Sequence, residues 1–226
     1  MGADREDPAR LRVGIIGAGR VGTAIARLAS DVGHEVSVAG SGTPEQVRLV
    51  ARFTMPGVHV GSPGDVVADA DLVVVAVPLK RFSQLETSLF VGRIVVDVMN
   101  YWEPLDGHVP GFSDATLPTS EIVQRALPGA RVVKTLNHIG YHELESDARP
   151  PGAVDRRALA IAADDEGAAR LVAGFVDSLG FDPVLAGSLR ASLAMQPGTT
   201  VFEDRLNADR TRAALDAAAL TALQEA

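Results

Sequence analysis

Short, nearly continuous apolar runs alternate along the chain with longer stretches of helical period. The runs Leu11 to Ile16, Glu35 to Ala39, Gly57 to Val60, Leu72 to Val77, Arg93 to Val98 and Arg131 to Leu136 read as strands covered on both faces. Between them lie segments long enough for crossover helices. The first, Arg20 to Val32, places Val21, Ala24, Ile25, Leu28, Ala29 and Val32 on one stripe. Strand, helix and strand in repetition predict an α/β fold of Rossmann type, a doubly wound parallel sheet.

After residue 136 the pattern changes. "NHIGYHELESDARPPGAVDRR" is polar and proline-containing, and reads as a functional loop or a hinge between lobes. A further unit follows it: a strand over Ala158 to Ala162, a helix from about Glu166 to Leu179 capped by Asp164 or Asp165, and a strand over Asp182 to Leu185. The loop "LAMQPGTT" then leads to an alanine-rich helix, Ala208 to Leu223, with Leu215, Leu220 and Leu223 on it. The expected organisation is a solvated tail over residues 1–10, a dinucleotide-binding domain over 11–136 and a small C-terminal α/β lobe over 137–226.

The chemistry begins at "RVGIIGAGRVGTAIARLA", where Gly17, Gly19 and Gly22 stand at the spacing G-x-G-x-x-G between the first strand and the first helix. In such a turn the first glycine permits the tight bend. The second lets a pyrophosphate approach the backbone, and the third lets the helix pack on the strand. The helix N-terminus adds free N–H groups and partial positive charge. A dinucleotide is therefore the expected ligand.

Its type is read about 20 residues on, where NAD enzymes place an acid on the ribose hydroxyls. Here the stretch is "VAGSGTPEQ", with no carboxylate at the strand end. The hydroxyls of Ser41 and Thr43 suit a 2′-phosphate, which favours NADP over NAD. No arginine follows Ser41, so a compensating cation is sought in Arg20 or Arg48; Thr43 also reads as a helix cap before Pro44.

Further along the same sheet edge, Val77, Pro78 and Leu79 are candidates to border the cofactor. The ends of the next two strands, "DVMNYW" and "KTLNHIGY", bring Asn100, Asn137 and His138 to that edge. Asn137 and His138 are the candidate catalytic pair, as hydrogen-bonding orienters, with His138 a possible proton partner. Trp102 reads either as a lid over the crevice or as packing. His138 and His142 stand four apart, but Gly140 lies between them and no third ligand is evident, so no metal is expected.

Composition narrows the partners. The chain has 226 residues, 46% of them hydrophobic, enough for one core or a core with a small second lobe. With 21 Lys and Arg against 29 Asp and Glu, the formal charge is −8, which makes nucleic acid and anionic membrane poor partners. The absence of cysteine closes disulfide and thiolate chemistry and fits a cytoplasmic setting. The charged start "MGADREDPARLR" lacks the apolar core of a signal peptide, and no run approaches the ~20 apolar residues of a membrane span.

The blocks "GIIGAGRVGTAIARLA", "VAGS", "VVVAVP", "IVVDVMN", "RVVKTLN" and "SLGFDPVLAGSL" together resemble the NADPH-dependent F420 reductases, from about Leu11 to about Leu189. The resemblance implies a Rossmann domain with a smaller C-terminal domain, commonly in a homodimer, that moves hydride between NADP(H) and the deazaflavin coenzyme F420. By motif it implies Gly17, Gly19, Arg20, Val21 and Gly22 on the pyrophosphate, Ser41 and Thr43 near the 2′-phosphate, and Pro78 and Leu79 near the nicotinamide. Where that family often has arginine after the serine, this chain has Gly42.

Overall fold

The computed structural model describes residues 10–113 and 116–224, and the expected tail falls almost wholly outside them. In chain order the elements are β1 (Arg12–Ile16), α1 (Arg20–Asp31), β2 (Glu35–Ala39), α2 (Pro44–Thr54), β3 (His59–Val60), α3 (Pro63–Ala68) and β4 (Leu72–Val75). Then come β5 (Ile94–Asp97), α4 (Glu103–Asp106), α5 (Thr119–Ala126), β6 (Arg131–Lys134) and α6 (Glu143–Ser146). The last are β7 (Ala158–Ala163), α7 (Glu166–Ser178), β8 (Asp182–Gly187), α8 (Thr200–Glu203) and α9 (Ala208–Gln224).

One sheet of eight strands runs in the order β3-β2-β1-β4-β5-β6-β7-β8. The chain starts in its middle and winds outward both ways, so the loops after β1, β2 and β4 meet at one edge. The alternation inside each strand explains the layers. Val13 and Ile15 face α1 and α7 with Leu72, Val74 and Val96, whereas Ile16, Val73, Val75 and Val95 face α3 and α5.

The expected strands are all present, and several are shorter than their apolar runs. The run from Leu72 pairs only as far as Val75, because Ala76 to Pro78 already belong to the loop that leaves the sheet. Val32, placed on the buried stripe of the first helix, is 42% exposed, since the helix ends at Asp31 and Val32 is its cap. Asp165 caps α7, its side chain accepting from the Ala168 N–H at 2.6 Å. On α9, Leu215 packs against a small cluster with Met195 and Val201, and Leu220 is exposed. The "LAMQPGTT" segment is less of a loop than expected, because a 3₁₀ turn over Leu189–Met195 and α8 occupy much of it.

The C-terminal unit continues the same sheet. β7 lies antiparallel to β6 with Val133 opposite Ala163 and Lys134 opposite Ala162, and β8 runs parallel to β7. That register carries the start of β7 past the carboxyl end of β6. The polar connection between them is tied down rather than free to hinge: buried Arg157 reaches Glu143 at 3.0 Å, Asp147 at 3.1 Å and the His138 carbonyl at 3.0 Å. Arg27 on α1 reaches Glu145 on α6 at 2.5 Å.

Candidate functional site

The loops after β1, β2 and β4 enclose a cleft of about 780 Å³. Its floor is the glycine turn, Ile16 to Gly19. One wall is Ala39 to Ser41 with Gln46, Val47 and Val50 of α2, and the other is Ala76 to Pro78 with Arg81, Gln84 and Leu85.

Each glycine of the turn has a separate steric reason. Gly17 has φ +121°, and a Cβ there would meet the Ala76 carbonyl oxygen at 2.3 Å. A Cβ on Gly22 would lie 1.9 Å from the Gly17 oxygen, so α1 can approach the turn only because this residue has none. A Cβ on Gly19 would meet nothing within 4 Å. The protein itself therefore does not require glycine at 19; a ligand lying against the backbone does. Gly19 is also the cap of α1 and offers no side-chain cap, so the helix begins at the floor of the cleft with no side chain capping its first amides among the described residues.

No Asp or Glu lines the cleft among the described residues, and Arg81 is the charged residue on its wall. Ser41 is exposed on the β2 side of that wall. These features fit a dinucleotide carrying a phosphate on its adenosine ribose: room above Gly19, amide donors at the turn, and no carboxylate to repel the extra charge or to claim a free ribose hydroxyl.

Of the residues expected at the site, Gly17, Gly19, Ser41 and Pro78 line the cleft. Arg20, Val21 and Gly22 stand in the first turn of α1 beside it. The Arg20 guanidinium sits over the Tyr141 ring, 5.6 Å from its centre. Thr43 closes a capping box on α2 with Gln46, whose amide oxygen accepts from the Thr43 N–H at 3.0 Å. Leu79 is 3% exposed and turns into the core beneath the sheet, not toward the cleft. Arg48 donates to the Val60 carbonyl at 3.3 Å.

Asn100, Asn137 and His138 do come together, at the carboxyl ends of β5 and β6, but they bond to the protein. Asn100 Nδ2 donates to the Asn137 carbonyl at 2.7 Å, and Asn137 Nδ2 donates to Asn100 Oδ1 at 3.0 Å and to the Met195 carbonyl at 2.7 Å. For His138, expected as an orienter and possible proton partner, the ring's bonds all run to the protein. The ring is buried; Nε2 accepts from the Ala160 N–H at 3.0 Å, which leaves the proton on Nδ1, facing Asn137 Oδ1 at 3.1 Å. Burial, reinforced by the charges of Arg157 and Lys134, pushes its pKa down to about 3. It is a neutral brace between the β6 loop and β7.

Beneath these asparagines lies a buried ion pair that sequence reasoning missed. Lys134 Nζ stands 3.3 Å from Asp97 Oδ2 and also donates to the Met99 carbonyl, while Ser120 donates to Asp97 at 2.7 Å and the Met99 N–H at 2.9 Å. Burial pulls the Lys134 pKa below the ordinary lysine value. The signal was available as a charged residue closing each of two apolar runs, "VVD" and "VVK". Arg81, Gln46 and Gln84 were also missed, because nothing in their local pattern separates them from surface residues.

Trp102 is 51% exposed, with its backbone N–H donating to Asp106 Oδ2 at 2.8 Å. Among the described residues no three metal-binding side chains come together, and no helix is long and apolar enough to cross a membrane.

A protein family described as NADP oxidoreductase, coenzyme F420-dependent, matches residues 12–101. A hypothetical protein from Sinorhizobium meliloti is 30% identical over 86% of this chain and 94% of its own, with a TM-score of 0.75. A candidate F420-dependent NADP reductase from an Arthrobacter species is 29% identical over 79% of this chain and 85% of its own, at a TM-score of 0.61. An imine reductase from a Pseudomonas species is 13% identical over 96% of this chain and 64% of its own, at 0.53, a likeness of fold. No curated protein matches the sequence significantly. Glycine turn, acid-free second strand end and sheet order agree with this kinship, and residues 12–101 form a domain of the family described as NADP oxidoreductase, coenzyme F420-dependent.

Proposed function

We propose that this oxidoreductase transfers hydride between NADP(H) and the deazaflavin coenzyme F420. The observation that carries the nucleotide half is the cleft itself: open space above Gly19, amides without a side-chain cap at the start of α1, and no carboxylate beside Ser41. The deazaflavin half is supported by the family and by the name of the Arthrobacter relative.

Bound there, the nucleotide supplies a hydride donor or acceptor at its nicotinamide ring. The protein's part is orientation. The α1 amides hold the pyrophosphate, Ser41 meets the ribose phosphate, and Pro78 forms part of the opposite wall. Asn100 and Asn137 lock the β5 and β6 loops in place rather than touching the reacting atoms. The hydride would pass directly between two carbons, and the one proton that balances reduction of the deazaflavin would be exchanged with water, so a neutral, buried His138 is compatible with the reaction.

Residues 11–136 are assigned to the nucleotide and 137–226 to completing the site, in a cytoplasmic homodimer, on kinship; light scattering tests the dimer. The activity is tested spectrophotometrically with purified protein, reduced deazaflavin and NADP or NAD. Simultaneous appearance of NADPH and oxidised deazaflavin, with little turnover on NAD, is expected. Absence of turnover in protein that binds NADP would contradict the deazaflavin assignment and leave another hydride partner.

A further inference from the structure

We propose that Arg81 is the residue that recognises the 2′-phosphate and sets the choice of NADP over NAD. This rests on the reading of the cleft as a dinucleotide site. A phosphate dianion held in a cleft needs a cation as well as a hydroxyl, and Ser41 is neutral. The position directly after Ser41 supplies none. Gly42 has φ +122°, a region closed to ordinary side chains, and a Cβ there would stand 2.8 Å from Gln46 Oε1. The backbone that presents Ser41 thus excludes a basic residue next to it.

The other nearby cations are engaged. Arg48 bonds the Val60 carbonyl and Arg20 lies over Tyr141. Arg81 differs from both. It lines the cleft, is exposed, and has no hydrogen-bond or ion-pair partner for its guanidinium among the described residues.

Its base is fixed. The Arg81 N–H donates to the Pro78 carbonyl at 2.7 Å, and the residues around it in the 3₁₀ turn, Leu79 and Phe82, are buried in the core. The loops after β2 and β4 flank β1, which places them two strand spacings apart, about 10 Å. An extended arginine side chain and a phosphate bridge that gap together. Specificity is then divided between two loops: Ser41 donates from the β2 side and Arg81 supplies the charge from the β4 side.

The test is calorimetric titration of NADPH, NADH, 2′,5′-ADP and AMP into the wild-type protein and into Arg81→Gln and Arg81→Lys. Wild type should bind NADPH more tightly than NADH, and 2′,5′-ADP more tightly than AMP. Arg81→Gln should lose NADPH and 2′,5′-ADP affinity by about ten- to a hundredfold, the range for a hydrogen bond to a charged group, with NADH and AMP nearly unchanged. Arg81→Lys should recover part of the preference. An unchanged NADPH-to-NADH ratio in Arg81→Gln, or equal loss for all four ligands, overturns the assignment to the phosphate. Wild-type protein that binds neither dinucleotide would instead overturn the reading of the cleft, and the proposal with it.

Discussion

Asn100 and Asn137 exchange two hydrogen bonds across the carboxyl ends of β5 and β6, at 2.7 and 3.0 Å, and Asn137 adds a third to the Met195 carbonyl. Three segments far apart in the chain, around residues 100, 137 and 195, are joined at one residue. Asn137 is 4% exposed, so removing it strands buried partners without access to water. Asn137→Ala should lower stability by about 1–3 kcal/mol, the range for an unsatisfied buried group. Urea unfolding measures this; a variant as stable as wild type would show that the three segments do not depend on the amide.

The glycine turn makes a paired prediction. Gly19→Ala meets no atom and should leave stability within about 0.5 kcal/mol, while weakening NADPH binding ~10-fold or more through lost approach to the backbone. Gly22→Ala drives a Cβ into the Gly17 oxygen and should cost about 1–3 kcal/mol of stability. Thermal unfolding with and without NADPH separates the two. If both variants lose stability alike, Gly19 is structural and the space above it is not a ligand's.

Ser41→Asp sets a carboxylate in a cleft that has none among the described residues. It should weaken NADPH by tenfold or more, roughly one lost hydrogen bond plus repulsion, and leave NADH equal or improved, because an acid at this strand end suits a free ribose. Equal loss for both nucleotides, measured by titration, would remove Ser41 from the phosphate position.

His138 gives a prediction in pH. Its folded pKa of about 3 lies below the unfolded value of 6.5, so its neutral form is the one the fold holds. Stability from this group is complete above pH 6.5 and is lost as pH falls through that value toward 3, because the unfolded chain takes up a proton first. At pH 5 the loss relative to pH 8 should be about 2 kcal/mol. Burial lowers the His34 pKa as well, which acts in the same direction. His138→Gln should remove about that much of the pH dependence, and an imidazole resonance of His138 that titrates near 6.5 would contradict its place in the structure.

What was legible in the sequence was what repeats. Strand period, glycine spacing and the acid-free "VAGS" end each follow from local pattern, and they located the sheet edge, the turn and the β2 side of the cleft. The orientations after a strand ends did not follow. Leu79 comes one residue after Pro78 and turns into the core because the chain enters a 3₁₀ turn there, with Phe82 buried on the same side. Leu136 takes φ +58°, a left-handed position rare for leucine, and it turns the chain so that Asn137 and His138 run beneath the start of β7. Nothing in "TLNH" announces that bend. Arg81 was hidden for a different reason: its role depends on Gly42 and Arg48, which lie far from it in sequence and are brought to the same edge by the winding of the sheet.

Transfer of label tests the central claim most directly. NADPH deuterated at the transferring position of C4, mixed with the protein and oxidised deazaflavin coenzyme, should yield reduced deazaflavin carrying one deuterium, read by mass spectrometry, with none gained from deuterated solvent at that carbon when unlabelled NADPH is used. Deazaflavin that stays oxidised beside protein shown to bind NADPH, or product whose label comes from solvent, would contradict direct hydride transfer between the two coenzymes.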